Sequence, residues 1–320
     1  MTNPICRALK IRYPILLGGL LNVGTAPLVA AVSEAGGFGI LGAAAWREEE
    51  LKSQIQKTRQ LTTKPFGVNI VVRGSHAEEH VKMVIDEGIP AVTTSAGNPE
   101  VFTKTLKQFG IFVMHVVPSV EFARIAENSG VDAVIAEGVE SGGFTSLDEV
   151  TTFTLVPQVV DAVKIPVLAA GGIGDGRGFA AALALGAVGV QIGTVFLATD
   201  EAEVSHVYKM ALLMAKDTST HLIRMGRAAQ RQIKDDLRQE INRALKDDIN
   251  LQELADETDG QLKWENQIDS KKIPRVISVG QVAGLVKKIV SVHQLIQNMV
   301  QEARLLFGPD NKPSRLIENG

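Results

Sequence analysis

Short apolar runs rich in β-branched residues recur through the first two hundred positions. They read "PILLGG", "GFGILG", "FGVNIVV", "PAVTTSA", "IFVMHVV", "DAVIAEG", "PVLAAGG" and "VGVQIGT". Between them lie segments of helical character, among them "APLVAAVSEAG", "REEELKSQIQKTRQ", "AEEHVKMVIDEG", "EFARIAENSG" and "RGFAAALALG". Several of these end on glycine (Gly36, Gly88, Gly130, Gly186) just before the next run, where a helix needs a left-handed cap. Runs apolar at successive positions imply burial on both faces, hence parallel strands.

Eight strands, each followed by a crossover, match a (β/α)8 TIM barrel in number and spacing. A doubly wound open sheet is the competing architecture. The barrel is favoured because glycine and polar residues recur at the C-terminal ends of nearly every strand, where barrels build their sites. After "QIGTVFLATDEAE" the pattern changes. Residues 201–275 are more charged, contain no clear strand pattern, and predict a helical cap inserted after strand eight. The apolar helical period returns in "VISVGQVAGLVKKIVSVHQLIQNMVQEARLLF". The expected organisation is a barrel of residues 1–200 plus 276–320 and a cap of residues 201–275. The tail "GPDNKPSRLIENG" is expected to be loosely held.

At 320 residues and 45% hydrophobic, the chain can bury a large core. Its net charge of -3 comes from interspersed signs, which argues against a nucleic-acid partner. The most basic stretch, "IRMGRAAQRQIKDDLRQE", balances its charge with Asp235, Asp236 and Glu240 and reads as a solvated helix face. The single cysteine, Cys6, permits no internal disulfide and reads as a packing residue. No segment has the apolar length of a membrane span or the layout of a secretory leader, so a reducing cytoplasm is expected.

Four motifs carry candidate chemistry. "GFGILG" has the spacing of a dinucleotide-binding turn, but it follows a helix and is itself a strand, so its context is wrong. "HAEEH", His76 to His80, has inverted zinc-protease spacing but no evident third ligand, and reads as a helix N-terminus. "AAGGIGDGRG" ends a strand in Gly171 and Gly172 and opens a helix near Arg177 or Gly178. Gly193 and Thr194 in "QIGTVF" make a second such turn. Together they reproduce the phosphate-holding loops after barrel strands seven and eight, where backbone amides and a helix N-terminus serve without lysine. No Ser–His–Asp order and no paired strand-end carboxylates appear, so hydrolysis has little support.

These residues also carry a resemblance. "KPFGVNI", "VTTSAGNP", "VVPSV", "AVIAEGVESGG", "TTFTLVPQVVDAVKIPVLAAGGIGDGRG", "VQIGT" and, past the cap, "GQVAGLV" are similar to the flavoprotein family of nitronate monooxygenases (2-nitropropane dioxygenases) and bacterial enoyl-ACP reductase II. The resemblance implies an FMN-binding TIM barrel with a helical substrate lid. It implies that Gly19, Leu20, Leu21 and Asn69 line the isoalloxazine, that Glu137 reaches the ribityl or ring region, and that Gly142 lies against the flavin. Ala170, Gly171, Gly172, Gly193 and Thr194 would hold the phosphate. It further suggests NADH or NADPH as electron donor, a small-molecule or acyl-thioester substrate, and a homodimer.

One residue departs from the family. Phe144 stands straight after "ESGG", where members of both branches carry histidine. An imidazole there can move a proton near neutral pH, and a phenyl ring cannot. FMN binding survives that change, because hydride chemistry belongs to the cofactor. The reaction stays open between nitronate oxidation and enoyl-thioester reduction, the segments "TTFTLVPQVV" and "VPSV" being closer to the reductases. His115 is a candidate replacement for the missing imidazole. A quinone or other NAD(P)H-linked flavin reductase, and a flavin-binding protein without the family activity, are the alternatives. The related nucleotide dehydrogenases are disfavoured, because Cys6 precedes the first strand and cannot supply their loop thiolate.

Overall fold

The computed structural model describes residues 3–226, 228–246 and 276–307. Residues 247–275 of the expected cap and the tail 308–320 lie outside the described residues. The eight apolar runs form eight parallel strands: β1 (Ile15–Leu17), β2 (Gly39–Gly42), β3 (Phe66–Val71), β4 (Ala91–Ser95), β5 (Phe112–Val117), β6 (Ala133–Glu137), β8 (Val167–Ala170) and β9 (Gly189–Ile192). Their order is β1-β9-β8-β6-β5-β4-β3-β2, and the ring closes where Leu16 bridges Phe38 in parallel. The Leu17 amide donates to Phe38 O, and the Phe38 amide to Ile15 O, each at 3.0 Å. This is the barrel, not the open sheet.

Helices α2 (Ala26–Glu34), α3 (Glu48–Leu61), α4 (Ala77–Asp86), α5 (Glu100–Gln108), α6 (Val120–Asn128), α7 (Thr152–Ala162) and α8 (Gly176–Ala184) lie between strands. Gly36, Gly88, Gly130 and Gly186 all take positive φ, as the helix-ending role requires. Side chains alternate between an inner cluster (Leu16, Ile40, Met114, Ile135, Leu168) and an outer one beneath the helices (Leu17, Leu41, Val113, Val134, Ala169). Helix α1 (Pro4–Leu9) brings Ile5, Cys6 and Leu9 into the inner cluster. Cys6 is fully buried, and burial pushes its thiol up to about 12, so it packs and does not react.

The glycines of "GFGILG" serve packing. A Cβ on Gly39 would sit 2.1 Å from Val29 O, and one on Gly42 would sit 1.9 Å from Leu20 O. Of the "HAEEH" pair, His80 is buried with its Nε2 2.9 Å from Trp46 O, while His76 Nδ1 lies 2.9 Å from Glu79 Oε2. No group of three metal-ligating side chains occurs among the described residues.

The region after β9 corrects the all-helical expectation. It contains α9 (His206–Met214), then strands β10 (Thr220–Met225) and β11 (Ala228–Ile233), then α10 (Asp235–Lys246). "IRMGRAAQRQI" is therefore an antiparallel hairpin whose turn opens on Gly226 in the left-handed region, not a solvated helix. Its alternation is masked because polar Arg231 and Gln232 occupy buried positions. A third strand, β7 (Gly143–Thr145), joins β11 antiparallel and comes from the loop after β6. The final helix, α11 (Val292–Phe307), packs on α8 and α2 and so takes the place of the eighth outer helix.

Candidate active site

The register sets the inner rim of the mouth. Glu137, Ala170 and Gln191 are partners across β6, β8 and β9. Ala170 belongs to the inner cluster, so this row faces the barrel interior. A second row joins Asn69, Thr93 and inner-cluster Met114 across β3, β4 and β5. Thr93 Oγ1 donates to Asn69 Oδ1 at 2.9 Å. Small Ala170 stands between two long polar side chains. Gln191 is buried, and its Oε1 has no hydrogen-bond partner. Buried Ser141 Oγ is likewise unsatisfied, which is costly unless a ligand or water supplies the bond.

Glu137 keeps part of its surface open at the mouth. Desolvation pushes its carboxyl up from 4.5 to about 7. It can therefore hold a proton near neutral pH.

The remaining candidates gather around these rows. Gly19 abuts Asn69, since a Cβ there would lie 2.4 Å from Asn69 Cγ. Gly193 abuts Leu20, and Leu21 is exposed beyond it. Gly171 and Gly172 both have positive φ, and the amides of Gly172 and Gly193 have no backbone hydrogen-bond partner among the described residues. Consecutive left-handed glycines make a concave anion cradle. The α8 terminus does not contribute as expected. Its Arg177 and Gly178 amides donate to Asp175 Oδ1 at 3.0 and 3.1 Å, and its Gly176 amide donates to Glu302 Oε2 at 2.8 Å. Two carboxylates already hold that end, so the free donors are the Gly172 and Gly193 amides.

Thr194 Oγ1 accepts from the Gly280 amide at 2.9 Å, tying the returning chain to the cradle. Gly142 has its closest approach to protein backbone, with a Cβ there meeting Val279 C at 2.5 Å. Phe144 lies on β7 with 58% of its surface exposed.

His115 is not at this site. It alternates with inner-cluster Met114 and lies beside outer-cluster Val113 and Val117, so it faces outward beneath the helices. There it is buried, 2.7 Å from Thr94 Oγ1, and burial lowers its pKa to about 4. It cannot replace an imidazole at the mouth.

Three residues near the mouth were not legible as site residues. The Glu140 carboxylate accepts from the Thr152 amide at 2.9 and 3.0 Å at the α7 N-terminus. The Thr152 hydroxyl lies 3.0 Å from Gly171 O and 3.2 Å from Ala170 O, bracing the cradle from behind. Arg231, buried in the cap hairpin, donates from Nε to Val139 O at 2.9 Å and faces the charges of Glu140 and Glu149. Nothing in the sequence pattern pointed to it.

With this geometry in view, the comparisons are specific. The chain matches the family model described as nitronate monooxygenase over residues 3–83 and 73–302. It belongs to the nitronate monooxygenase family. A probable nitronate monooxygenase of Staphylococcus aureus is 36% identical over 262 residues, covering 68% of this chain and 74% of that protein. One of Staphylococcus saprophyticus is 36% identical over 265 residues, covering 69% and 75%. Among solved structures, FabK from Thermotoga maritima is 41% identical with a TM-score of 0.83, covering 96% of this chain and 97% of its own. A nitroalkane oxidase from Streptomyces ansochromogenes is 26% identical with a TM-score of 0.74, covering 93% and 97%. As a family member the chain is a flavin-dependent oxidoreductase. No helix among the described residues is long and apolar enough to cross a membrane.

Proposed function

We propose that this protein binds FMN at the barrel mouth and uses NADH or NADPH to reduce an enoyl thioester. The observation that carries the choice of reaction is the 41% identity to an enoyl-ACP reductase II type structure over 96% of the chain, the region after β9 included. FMN, with its single phosphate, suits one cradle and no dinucleotide turn. Gly171, Gly172 and Gly193 would enclose the phosphate, the Gly172 and Gly193 amides donating to it, with Thr194 beside them. Gln191 Oε1 and Ser141 Oγ offer unspent hydrogen-bonding capacity to the rest of the cofactor. Gly19, Leu20, Leu21 and Asn69 form the wall opposite Glu137 and Ala170, and Gly142 lies at the edge. When bound, FMN would carry hydride from the dinucleotide to the enoyl β-carbon.

The chain's own part is to place the ring, exclude water and manage one proton. Phe144 excludes water and moves none. The Glu137 carboxyl is the ionisable group of the inner row, protonated up to about pH 7, and would supply or retain that proton. Residues 201–275 would form the lid, and a reducing cytoplasm and a homodimer complete the reading.

Nitronate oxidation is the second reading, favoured by the curated relatives at 36% identity. A nitronate arrives already deprotonated, so it needs no base at position 144. The decisive experiment records the visible spectrum of the flavin-loaded protein, then adds NADH or NADPH without oxygen, then crotonyl thioester. Bleaching by the dinucleotide and recovery on the thioester is expected. Flavin that does not bleach, with oxygen uptake on nitronates, would reverse the assignment.

A further inference from the structure

One face of the small sheet is spent on the fold, and the other, although Gln232 on it is buried, exposes Phe144 and Met225. Directly opposed residues in a ladder share a face. Arg231, Ala229 and Ile233 stand on the first face and are all buried, with Arg231 bonded to Val139 O. On the other face Phe144 lies opposite Gln230, and Gln230 opposite Ile223. Met225, two positions along β10 and opposite Ala228, shares it. Phe144 and Met225 are 58% and 50% exposed, and Ile223 is half-buried. Two inter-strand steps of about 4.8 Å give the stripe a length of roughly 10 Å.

The stripe meets the loops of the site at one end, Phe144, and again at its middle, Gln230. Phe144 directly follows Gly143 in the loop that leaves Glu137. Gln230, between Phe144 and Ile223, donates from Nε2 to Ser278 Oγ at 3.2 Å. Ser278 stands two residues before Gly280, whose amide is bonded to Thr194 in the cradle. A ligand lying from Met225 to Phe144 would be elongated and largely apolar, with its reactive end at Phe144, the end that leads into the mouth. A second copy of the chain would meet the apolar residues without accounting for their continuity with the mouth.

We propose that Phe144, Ile223 and Met225 form the track for the acyl chain of the thioester substrate and set its chain-length preference. The inference rests on the enoyl-reductase reading and assigns Phe144 a binding role where a proton-transfer residue is missing. Its test compares trans-2-decenoyl and trans-2-butenoyl pantetheine thioesters in the flavin-loaded enzyme. The variants are Phe144→Ala, Met225→Gln and Ile223→Gln. A parallel measurement follows equilibrium binding of saturated decanoyl and butyryl pantetheine.

Each variant should lower kcat/KM and affinity for the ten-carbon chain about tenfold, as expected for a few lost methylene contacts, and leave the four-carbon chain within about twofold. An equal fall on both chain lengths, or no change on either, overturns the track. So do variants that leave chain-length preference intact but shift the sedimentation coefficient, because a second copy would then cover the stripe. If the wild type reduces neither thioester yet binds decanoyl pantetheine in a stripe-dependent way, the reductase reading fails and the apolar track stands. If it binds neither, the track is overturned as well.

Discussion

At position 144 the chemistry turns on one ring. A phenyl group in place of imidazole removes a general acid–base contribution usually worth ~100-fold or more. Phe144→His is expected to raise turnover of neutral nitroalkanes toward that factor and leave preformed nitronates within about twofold, because only the neutral substrate must lose a proton. Oxygen uptake on both forms checks this, and equal rates before and after the change would place Phe144 away from the flavin. Glu137 offers a prediction in the apoprotein. Its folded pKa of about 7 lies above the ordinary 4.5, so the folded state binds the extra proton between those values. Its contribution to stability is complete below about pH 4.5 and declines as pH rises through 7. Glu137→Gln should therefore gain stability relative to wild type between pH 5.5 and pH 8, read from urea midpoints. A difference identical at both pH values would show that the carboxyl is not held in a desolvating site.

Among the elements, those legible in the sequence bury apolar residues at a regular period. The eight strands and their helices announce themselves because both sheet faces are apolar and most of the helices end on a glycine with positive φ. The hairpin of β10 and β11 did not, because polar Arg231 and Gln232 are both buried, Arg231 with a bond to distant backbone that periodicity cannot see. The same limit hid the α8 terminus. Its donors are satisfied in part by Glu302, 126 residues away. Parity along β5 placed His115 outside the barrel, a distinction that needs register and not only a strand assignment. Close packing between elements is testable at the α8–α11 crossing. A Cβ on Gly176 would stand 2.5 Å from Met299 O and 2.8 Å from Ala303 N. Gly176→Ala should cost about 1–3 kcal/mol by forcing the helices apart. Gly88→Ala, where a Cβ meets nothing within 4 Å but φ is +60°, should cost only the backbone strain of about 1 kcal/mol. Equal denaturation midpoints for the two variants would mean that the crossing relaxes freely.

Across the whole molecule, the chain leaves the barrel after its eighth strand and returns to supply the eighth outer helix, so the inserted cap is tied to a closed ring. The returning segment meets the site before it reaches the helix, through Gly280 on Thr194 and the Val279 backbone against Gly142. Loading the cradle should therefore stabilise the closed ring as well as the local loops. Hydrogen bonds to a charged group are worth about 1.5–3 kcal/mol each. The Gly172 and Gly193 amides engaged by a phosphate would give FMN an affinity at least ~100-fold above riboflavin, which lacks the phosphate. At a concentration 100 times its dissociation constant, a ligand specific for the folded state adds about 2.7 kcal/mol. Equal concentrations of FMN and riboflavin should then separate in thermal melts, FMN raising the midpoint by several degrees in a single transition and riboflavin far less. Equal shifts from both flavins would mean that the glycine turns hold no phosphate, and a shift confined to a minor early transition would mean that the cradle is not coupled to closure of the barrel.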